Sequence, residues 1–201
     1  MAATGRLALE LLLSRQSVGI KHLVEPGPSD ADLQTMCLAA LRGPDHGALA
    51  PFRFAVVRGA ARERLAKLFE AAGRAQGKAD ADARLDAERA LRAPVTVALL
   101  ARIDLGHPRV PAHEQWACVG GALTNWLNAA HALGFGGKML SGAKVRDPDV
   151  QRAFCEPGET LVGWVALGTP SGSPMRPPVK PDPRAVMREW TGRTSIATDK
   201  P

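Results

Sequence analysis

The strongest hydrophobic pattern in the chain runs from His113 to Ser141. Apolar side chains recur there at intervals of three and four, which is the repeat of one face of an α-helix. These positions are Trp116, Val119, Leu123, Trp126, Leu127, Ala130 and Leu133. The opposite face carries the small residues Cys118, Ala122, Asn125, Ala129 and Ala132. A helix that is apolar or small all round is expected to be buried on every side. Gly134 and Gly136-Gly137 then predict its end and a glycine-rich turn.

This helix has two other interpretations. The stretch from Gln115 to Gly137 has no formal charge and is long enough to span a membrane. Several of its polar side chains are costly in hydrocarbon and no second candidate span exists, so the pattern disfavours a membrane protein. These side chains are Gln115, Thr124, Asn125, Asn128 and His131. A face of small residues also permits close helix approach, so the helix packs either within one subunit or against a second one.

Shorter patterns predict the elements at the N-terminal side. Leucines between Leu7 and Leu13 predict a short amphipathic helix, and residues 18–28 are expected to be irregular. Ser29 predicts the start of a second helix, because Asp30 and Asp32 follow it in the first turn. The predicted buried stripe of that helix consists of Leu33, Met36, Cys37, Ala40 and Leu41.

The rest of the chain alternates between strands and helices. Strands are predicted at 52–57, 95–101 and 161–167, and helices at 60–73, 76–92 and 147–154. Helices that precede and separate the strands predict a mixed α+β domain.

Six prolines between Pro170 and Pro183 exclude a helix or an inner strand in that segment. We therefore predict a single domain over residues 1–201, with an extended proline-rich arm at 171–191 and a disordered tail at 192–201. A last helical turn is expected at 184–190, and Trp190 near the end of the arm favours an arm that wraps another surface.

Composition and charge narrow the class of protein. The 201 residues are 45% hydrophobic and 23% charged, which fits one globular domain with a sizeable core. The net charge of +6 favours anionic partners such as phosphorylated cofactors. The basic residues are scattered and aromatic residues make up only 4% of the chain, so nucleic acid is disfavoured as a partner. Cys37, Cys118 and Cys155 are far apart, which is typical of a reduced, cytoplasmic protein.

Motifs for chemistry by side chains alone are absent from the sequence. It contains no phosphate-binding P-loop, no zinc-protease helix and no G-x-S-x-G nucleophile turn. Cysteines and histidines are too dispersed for a structural zinc site. A carboxylate pair for acid–base catalysis could be assembled from many residues, and the sequence does not choose among them. We therefore predict no metal site, assign no catalytic side chain, and expect a cofactor to carry the chemistry.

Four segments together resemble the FMN-dependent nitroreductase family, in particular its small, compact NAD(P)H nitroreductases. SRQS at 14–17 resembles the family's Arg-Arg-Ser segment after the first helix, and ALRGPDH at 40–46 with PFRF at 51–54 resembles its second flavin segment. GFGG at 134–137 with SG at 141–142 resembles its third flavin segment, and the strand that closes with GTP at 168–170 resembles its last core strand.

The resemblance implies a central, mostly antiparallel sheet flanked by helices in a homodimer that exchanges its C-terminal arms. It implies FMN at the subunit interface and NADH or NADPH as the hydride donor. The implied reaction is the ping-pong reduction of nitroaromatics, quinones or similar electron-poor compounds in the cytoplasm.

The resemblance also implies which residues bind FMN and the nicotinamide nucleotide. The implied FMN ligands are Arg15, Gln16, Ser17, Arg42, His46, Met139, Leu140 and Ser141. The implied NAD(P)H segment consists of Ala129, Ala130, His131, Ala132, Leu133 and Gly134. The guanidinium of Arg15 suits a phosphate because its planar fork stays charged and donates two parallel hydrogen bonds. Taken alone, Arg15 is also compatible with an ordinary exposed arginine at a helix end.

Met139 and Leu140 depart from the family's pattern, which has an aromatic residue and an arginine at these positions. Any hydrogen bond to the cofactor at this turn must therefore come from the backbone or from Ser141. Two alternatives to a nitroreductase remain at this stage. One is a flavin enzyme of the same fold that consumes its flavin or removes halogens, and the other is a non-enzymatic polyanion-binding protein.

Overall fold

The computed structural model describes residues 2–172 and 179–192. Over these residues the chain forms six α-helices and five β-strands, joined by short 3-10 turns. The helices are α1 Ala2–Ser14, α2 Asp30–Ala40, α3 Ala61–Ala75, α4 Asp80–Ala90, α5 Ala112–Ala132 and α6 Pro148–Phe154. The strands are β1 Leu23–Val24, β2 Phe52–Val57, β3 Val95–Arg102, β4 Gly136–Leu140 and β5 Glu159–Pro170.

All pairs in the sheet are antiparallel, and β5 is its central strand. The order is β1-β5-β3-β2, and β4 also pairs with β5. In that pairing Gly136 lies opposite Gly168 and Leu140 lies opposite Trp164. The fold is therefore α+β with an antiparallel sheet, which confirms the predicted fold class.

Helices cover both faces of this sheet. On one face Trp126 of α5 and Met36 of α2 pack against Val97, Val165 and Leu167. On the other face the core includes Trp164 and Leu100 of the sheet, Val150 of α6 and the partly buried Phe69 of α3. Successive strand residues point to opposite faces, so β3 and β5 supply both cores and are buried nearly throughout.

The prediction of a glycine-rich turn at 136–137 is wrong, because these glycines begin β4. The end of α5 is made by Gly134 alone, whose φ of +87° is a left-handed conformation that glycine tolerates. A side chain at Gly136 would place Cβ 2.8 Å from Val18 Cγ2, and one at Gly137 would place it 2.9 Å from Leu127 Cδ2. Close approach of neighbouring segments therefore explains both glycines. Strand β1 was also missed, within the segment expected to be irregular.

Helix α5 is not buried on every side within one chain. Its buried residues are Gln115, Cys118, Val119, Ala122, Trp126 and Ala130. Trp116, Gly120, Thr124 and Leu133 are exposed, and so is Leu41 at the end of α2, which was predicted to be buried. The leucines of α1 are exposed as well. A single chain thus leaves an unusual amount of apolar helix surface in contact with solvent.

The described part of the C-terminal arm does not wrap its own chain. Its only regular structure in residues 179–192 is a 3-10 turn at Pro183–Ala185, which is earlier and shorter than predicted. Trp190 is 85% exposed. Residues 173–178 and the predicted tail from 193 onwards lie outside the described residues, so the disordered tail and the single-domain boundary stay predictions. Within residues 2–172 and 179–192, no helix is long and apolar enough to cross a membrane.

Candidate functional site

A cavity of about 360 Å³, called the first cavity below, lies where the C-terminal ends of α1 and α5 meet. Its volume is within the usual range for ligand pockets. The residues after α1 form one wall, because the backbone N–H of Val18 donates to the carbonyl of Gly137 at 3.1 Å. The lining consists of Ser14, Arg15, Gln16, Val18, His22, Leu127, His131, Gly134, Phe135, Gly136, Gly137, Pro170, Ser171 and Gly172.

The described side chains of the first cavity can carry positive charge only. Arg15, His22 and His131 are the only side chains of its described lining that carry or can acquire a charge, and no carboxylate is present. Arg15 and Gln16 are half-buried, whereas Ser17 is exposed beside them. Such a cavity attracts anions, and Arg15 can hold a phosphate or carboxylate through two parallel hydrogen bonds.

A hydrogen-bonded chain joins α1 to α5 at the edge of this cavity. The Oγ of Ser14 donates to the carbonyl of Leu11 at 3.2 Å, and it lies 3.0 Å from Nε2 of His131. Ser14 has one hydroxyl proton, and either tautomer of a neutral His131 is compatible with the second contact.

The predicted flavin turn at 139–141 does not line the first cavity. Leu140 and Ser141 line a second cavity of about 350 Å³, which also includes Ile20, Phe69 and Trp164. The side chain of Leu140 packs against this face of the sheet. Met139 points the other way and packs against the core below α5, so its side chain is occupied by packing.

The second cavity contains a cluster of charged groups. Asp86 is buried, and its Oδ2 lies 2.6 Å from Nζ of Lys78 and 2.7 Å from Nζ of Lys144. Burial alone raises the pKa of the Asp86 carboxyl, but the hydrogen bonds and charges of the two lysines outweigh it, so the pKa lies below its usual value. The lining also includes Arg89, which leaves the cavity net positive.

His46 lies at the other end of α5, where its Nδ1 is 2.7 Å from Oε2 of Glu114 in the first turn of that helix. His131 follows Glu114 by 17 residues, which is about 26 Å along a helix. Arg42 precedes Gly43, which packs against the middle of α5 at Gly121 and Ala122. Both Arg42 and His46 are exposed, and neither lines the first cavity with Arg15.

The six residues of the predicted NAD(P)H segment do not share one surface. His131 and Gly134 line the first cavity, Ala130 is enclosed by the core, and Ala132 and Leu133 are exposed. Ala129 is packed against the same core as Ala130.

Sequence reasoning did not single out several residues of the two cavities. His22, Ser171 and Gly172 line the first cavity, and Lys78 and Lys144 line the second. His22 meets the end of β5 through long-range contacts, since its carbonyl accepts from the backbone N–H of Ser171 at 2.9 Å. No local sequence pattern predicts a contact between residues so far apart in the chain. In residues 2–172 and 179–192, no group of three or more potential ligands is placed to hold a metal.

The chain combines an α+β fold with a cavity whose charged or chargeable side chains, among the described lining residues, are all basic. Residues 12–169 match the sequence profile of the nitroreductase family, and the chain belongs to this family of oxidoreductases. It is 37% identical over 164 residues to the candidate NAD(P)H nitroreductase YdjA of Escherichia coli (strain K12), which covers 81% of this chain and 88% of YdjA.

Solved structures confirm the fold. A nitroreductase-like family protein from Bacillus cereus aligns with a TM-score of 0.76 at 19% identity, over 92% of this chain and 96% of that one. A candidate nitroreductase from Desulfovibrio desulfuricans, solved in complex with FMN, aligns with a TM-score of 0.64 at 21% identity, over 91% of this chain and 96% of that one.

Proposed function

We propose that this chain is an FMN-dependent oxidoreductase that uses NADH or NADPH to reduce nitroaromatics, quinones or similar electron-poor compounds. The observation that carries the proposal is the first cavity, in which Arg15 lies with two histidines and no carboxylate. Such surroundings favour a phosphate group, because charged donors bind its oxygens and no carboxylate repels it. The solved relative with bound FMN and the NAD(P)H-dependent name of the relative from Escherichia coli support the same cofactors.

The residues present fit a flavin phosphate. Arg15 would bind it with two parallel N–H donors, and the exposed hydroxyl of Ser17 can add a third donor. Leu140 has no polar side-chain atom and its backbone pairs with β5, so the hydroxyl of Ser141, which lines the second cavity, would be the group of this turn that hydrogen-bonds the ring end. When bound, FMN supplies the two-electron chemistry by accepting a hydride from the nicotinamide and giving it to the second substrate.

The distribution of the predicted FMN ligands supports a homodimer. His46 lies at one end of α5 and Arg15 at the other, while Arg42 lies beside the middle of the helix. If two copies pack along their α5 helices in opposite directions, His46 of one copy comes to the Arg15 end of the other, and Arg42 lies on the way between them. The exposed apolar residues of α1 and α5 are the surface that such a dimer would bury. Exchange of the C-terminal arms would cover Trp190 in the same assembly.

The chain's own groups would position the reactants. The first cavity orients the phosphate end, and the positive second cavity adjoins the turn at Ser141. We assign no side chain as a required acid or base. The free cysteines Cys37, Cys118 and Cys155 agree with a reducing, cytoplasmic location.

The test is the visible spectrum of the purified protein after incubation with FMN, followed by anaerobic addition of NADPH or NADH. We expect a yellow protein that bleaches with at least one donor and recovers its colour when a nitroaromatic or quinone is added. A protein that takes up no FMN would overturn the proposal. Consumption of the flavin after oxygen is admitted, or halide release from a halogenated substrate, would indicate the same-fold alternatives.

Arg15→Ala tests the assigned phosphate ligand. We expect flavin content after gel filtration to fall at least tenfold, the effect of losing one charged hydrogen-bonding group. Arg64→Ala is the matched control, because Arg64 is exposed on α3 and lines neither cavity. Equal flavin content in the two variants would contradict the role of Arg15.

A further inference from the structure

His22 and His131 share the first cavity with Arg15. No role has been assigned to His22, and His131 belongs to the segment that the family resemblance implies for NAD(P)H. They come from different elements, since His22 directly precedes β1 and His131 lies in the last turn of α5. Both side chains are half-buried in the cavity wall, whereas the neighbouring Lys21 is exposed and does not line it. Among the described residues, neither histidine has a carboxylate partner.

We propose that His22 and His131 are ligands of the flavin phosphate together with Arg15, and that their protonation sets how tightly the phosphate is held. This inference rests on the proposed function, in particular on a flavin phosphate at Arg15. A phosphate monoester carries a charge of about −1.5 to −2 at pH 7. Arg15 neutralises one unit, and within the described lining only the two histidines can supply the second.

Protonation changes what the ring of His131 can offer the cavity. A neutral imidazole has one N–H donor, whereas a protonated ring has two. Because Nε2 already lies 3.0 Å from Oγ of Ser14, only the protonated ring can donate to Ser14 and to a phosphate oxygen at the same time.

The other groups around the histidines do not oppose this effect. Arg15 approaches from the end of α1, while the walls from β4 and from the end of β5 contribute the uncharged Gly136, Gly137, Pro170, Ser171 and Gly172. With no carboxylate to hold the histidines protonated beforehand, the bound phosphate itself is the anion that favours their protonation. By linkage, phosphate binding must then be accompanied by proton uptake.

The experiment compares FMN with riboflavin, which lacks the phosphate. The quantity measured is the dissociation constant of riboflavin divided by that of FMN. Both constants are obtained from flavin fluorescence at about pH 6 and about pH 8.5, which lie below and above the ordinary histidine pKa of about 6.5. We expect His22→Gln/His131→Gln to reduce this ratio about tenfold at the lower pH, and clearly less at the higher pH. The titration of the FMN phosphate itself is the same in both proteins and cancels in the comparison. Lys21→Gln is the matched control and should keep the wild-type ratio.

Calorimetry of the wild type in two buffers with different ionisation enthalpies gives a second readout that needs no variant. Near pH 7.5 the free phosphate is already a dianion, so proton uptake on FMN binding but not on riboflavin binding supports the inference. The inference would be overturned if the wild type and the double variant gave equal ratios at both pH values. It would also be overturned if FMN binding caused no more proton uptake than riboflavin binding. In either case the proposed flavoenzyme function would still stand. A protein that binds neither flavin overturns the proposed function and this inference with it.

Discussion

Arg53 on β2 holds Glu159 at the start of β5 through two parallel hydrogen bonds, 2.7 Å from Nε to Oε1 and 2.6 Å from Nη2 to Oε2. Since β3 lies between these two strands, the pair spans the end of the sheet. Arg102 at the end of β3 adds a contact of 3.1 Å to Oε1 of Glu159. The ends of three strands are therefore tied to one carboxylate, whose side chain is only 2% exposed.

Glu159→Gln should destabilise the fold by about 3 kcal/mol at pH 7, because it leaves a partly buried guanidinium without its counter-charge. The hydrogen bonds from Arg53 lower the pKa of Glu159 from 4.5 to about 2, although burial opposes the shift. A lowered folded pKa means stability that is complete above about pH 5 and is lost as the pH falls towards 2. Urea unfolding of both proteins between these pH values should show that the variant lacks this part of the acid sensitivity.

Glu156→Ala is the control for this prediction. Glu156 also contacts Arg102, at 2.7 Å, but its side chain is 62% exposed. An exposed pair of this kind contributes at most about 1 kcal/mol. Equal losses of stability in Glu159→Gln and Glu156→Ala would contradict the special role of the buried carboxylate.

Asp86→Ala should lower stability by about 1–3 kcal/mol, because it removes the shared counter-charge of Lys78 and Lys144 at the second cavity. The lowered pKa of Asp86 means that this contribution is present at neutral pH and is lost as the pH falls below the ordinary aspartate value, near 4. Thermal unfolding of the variant is compared with that of Asp82→Ala, in which an exposed carboxylate of the same helix is removed. If Asp82→Ala lowers the stability as much as Asp86→Ala does, the buried cluster of Asp86, Lys78 and Lys144 does not explain the loss of stability.

Gly136→Val should both destabilise the chain and weaken flavin binding. An added Cβ lies 2.8 Å from Val18 Cγ2 and 2.9 Å from Leu23 Cδ2, so the segment that follows Arg15 must move away from β4. We expect a loss of about 1–3 kcal/mol, typical of overpacking, together with a larger dissociation constant for FMN. Circular dichroism at rising temperature and a fluorescence titration measure the two effects. Full FMN affinity in a folded Gly136→Val protein would show that the position of this segment does not matter to the site.

Gly136 also shows how much of the fold and of the candidate site could be predicted from the sequence. The cap at Ser29 was predictable because it is local, and the structure contains the reciprocal hydrogen bonds between Ser29 and Asp32. β4 was not predictable from local pattern, since the space that requires Gly136 is set by Val18 and Leu23, which are distant in sequence. For the candidate site, the identity of Arg15 as an anion-binding group followed from residue type and family resemblance. The presence of His22 beside it depends on where the chain crosses the sheet.

The exposed face of α5 gives a test of the proposed dimer. Nothing lies within 4 Å of a Cβ added at Gly120, which is exposed in the middle of this helix. In a monomer Gly120→Leu is therefore free of clashes and should stabilise the helix by up to about 1 kcal/mol, since glycine is a poor helix former. If two copies pack closely along α5, the larger side chain instead forces them apart. Arg42 and His46 of one copy are then also moved away from Arg15 of the other. We expect sedimentation equilibrium to show a dimer for the wild type and for Ala71→Leu, an exposed control on α3, but a monomer that retains less FMN for Gly120→Leu. A Gly120→Leu protein that remains dimeric with full flavin content would exclude this helix face as the interface.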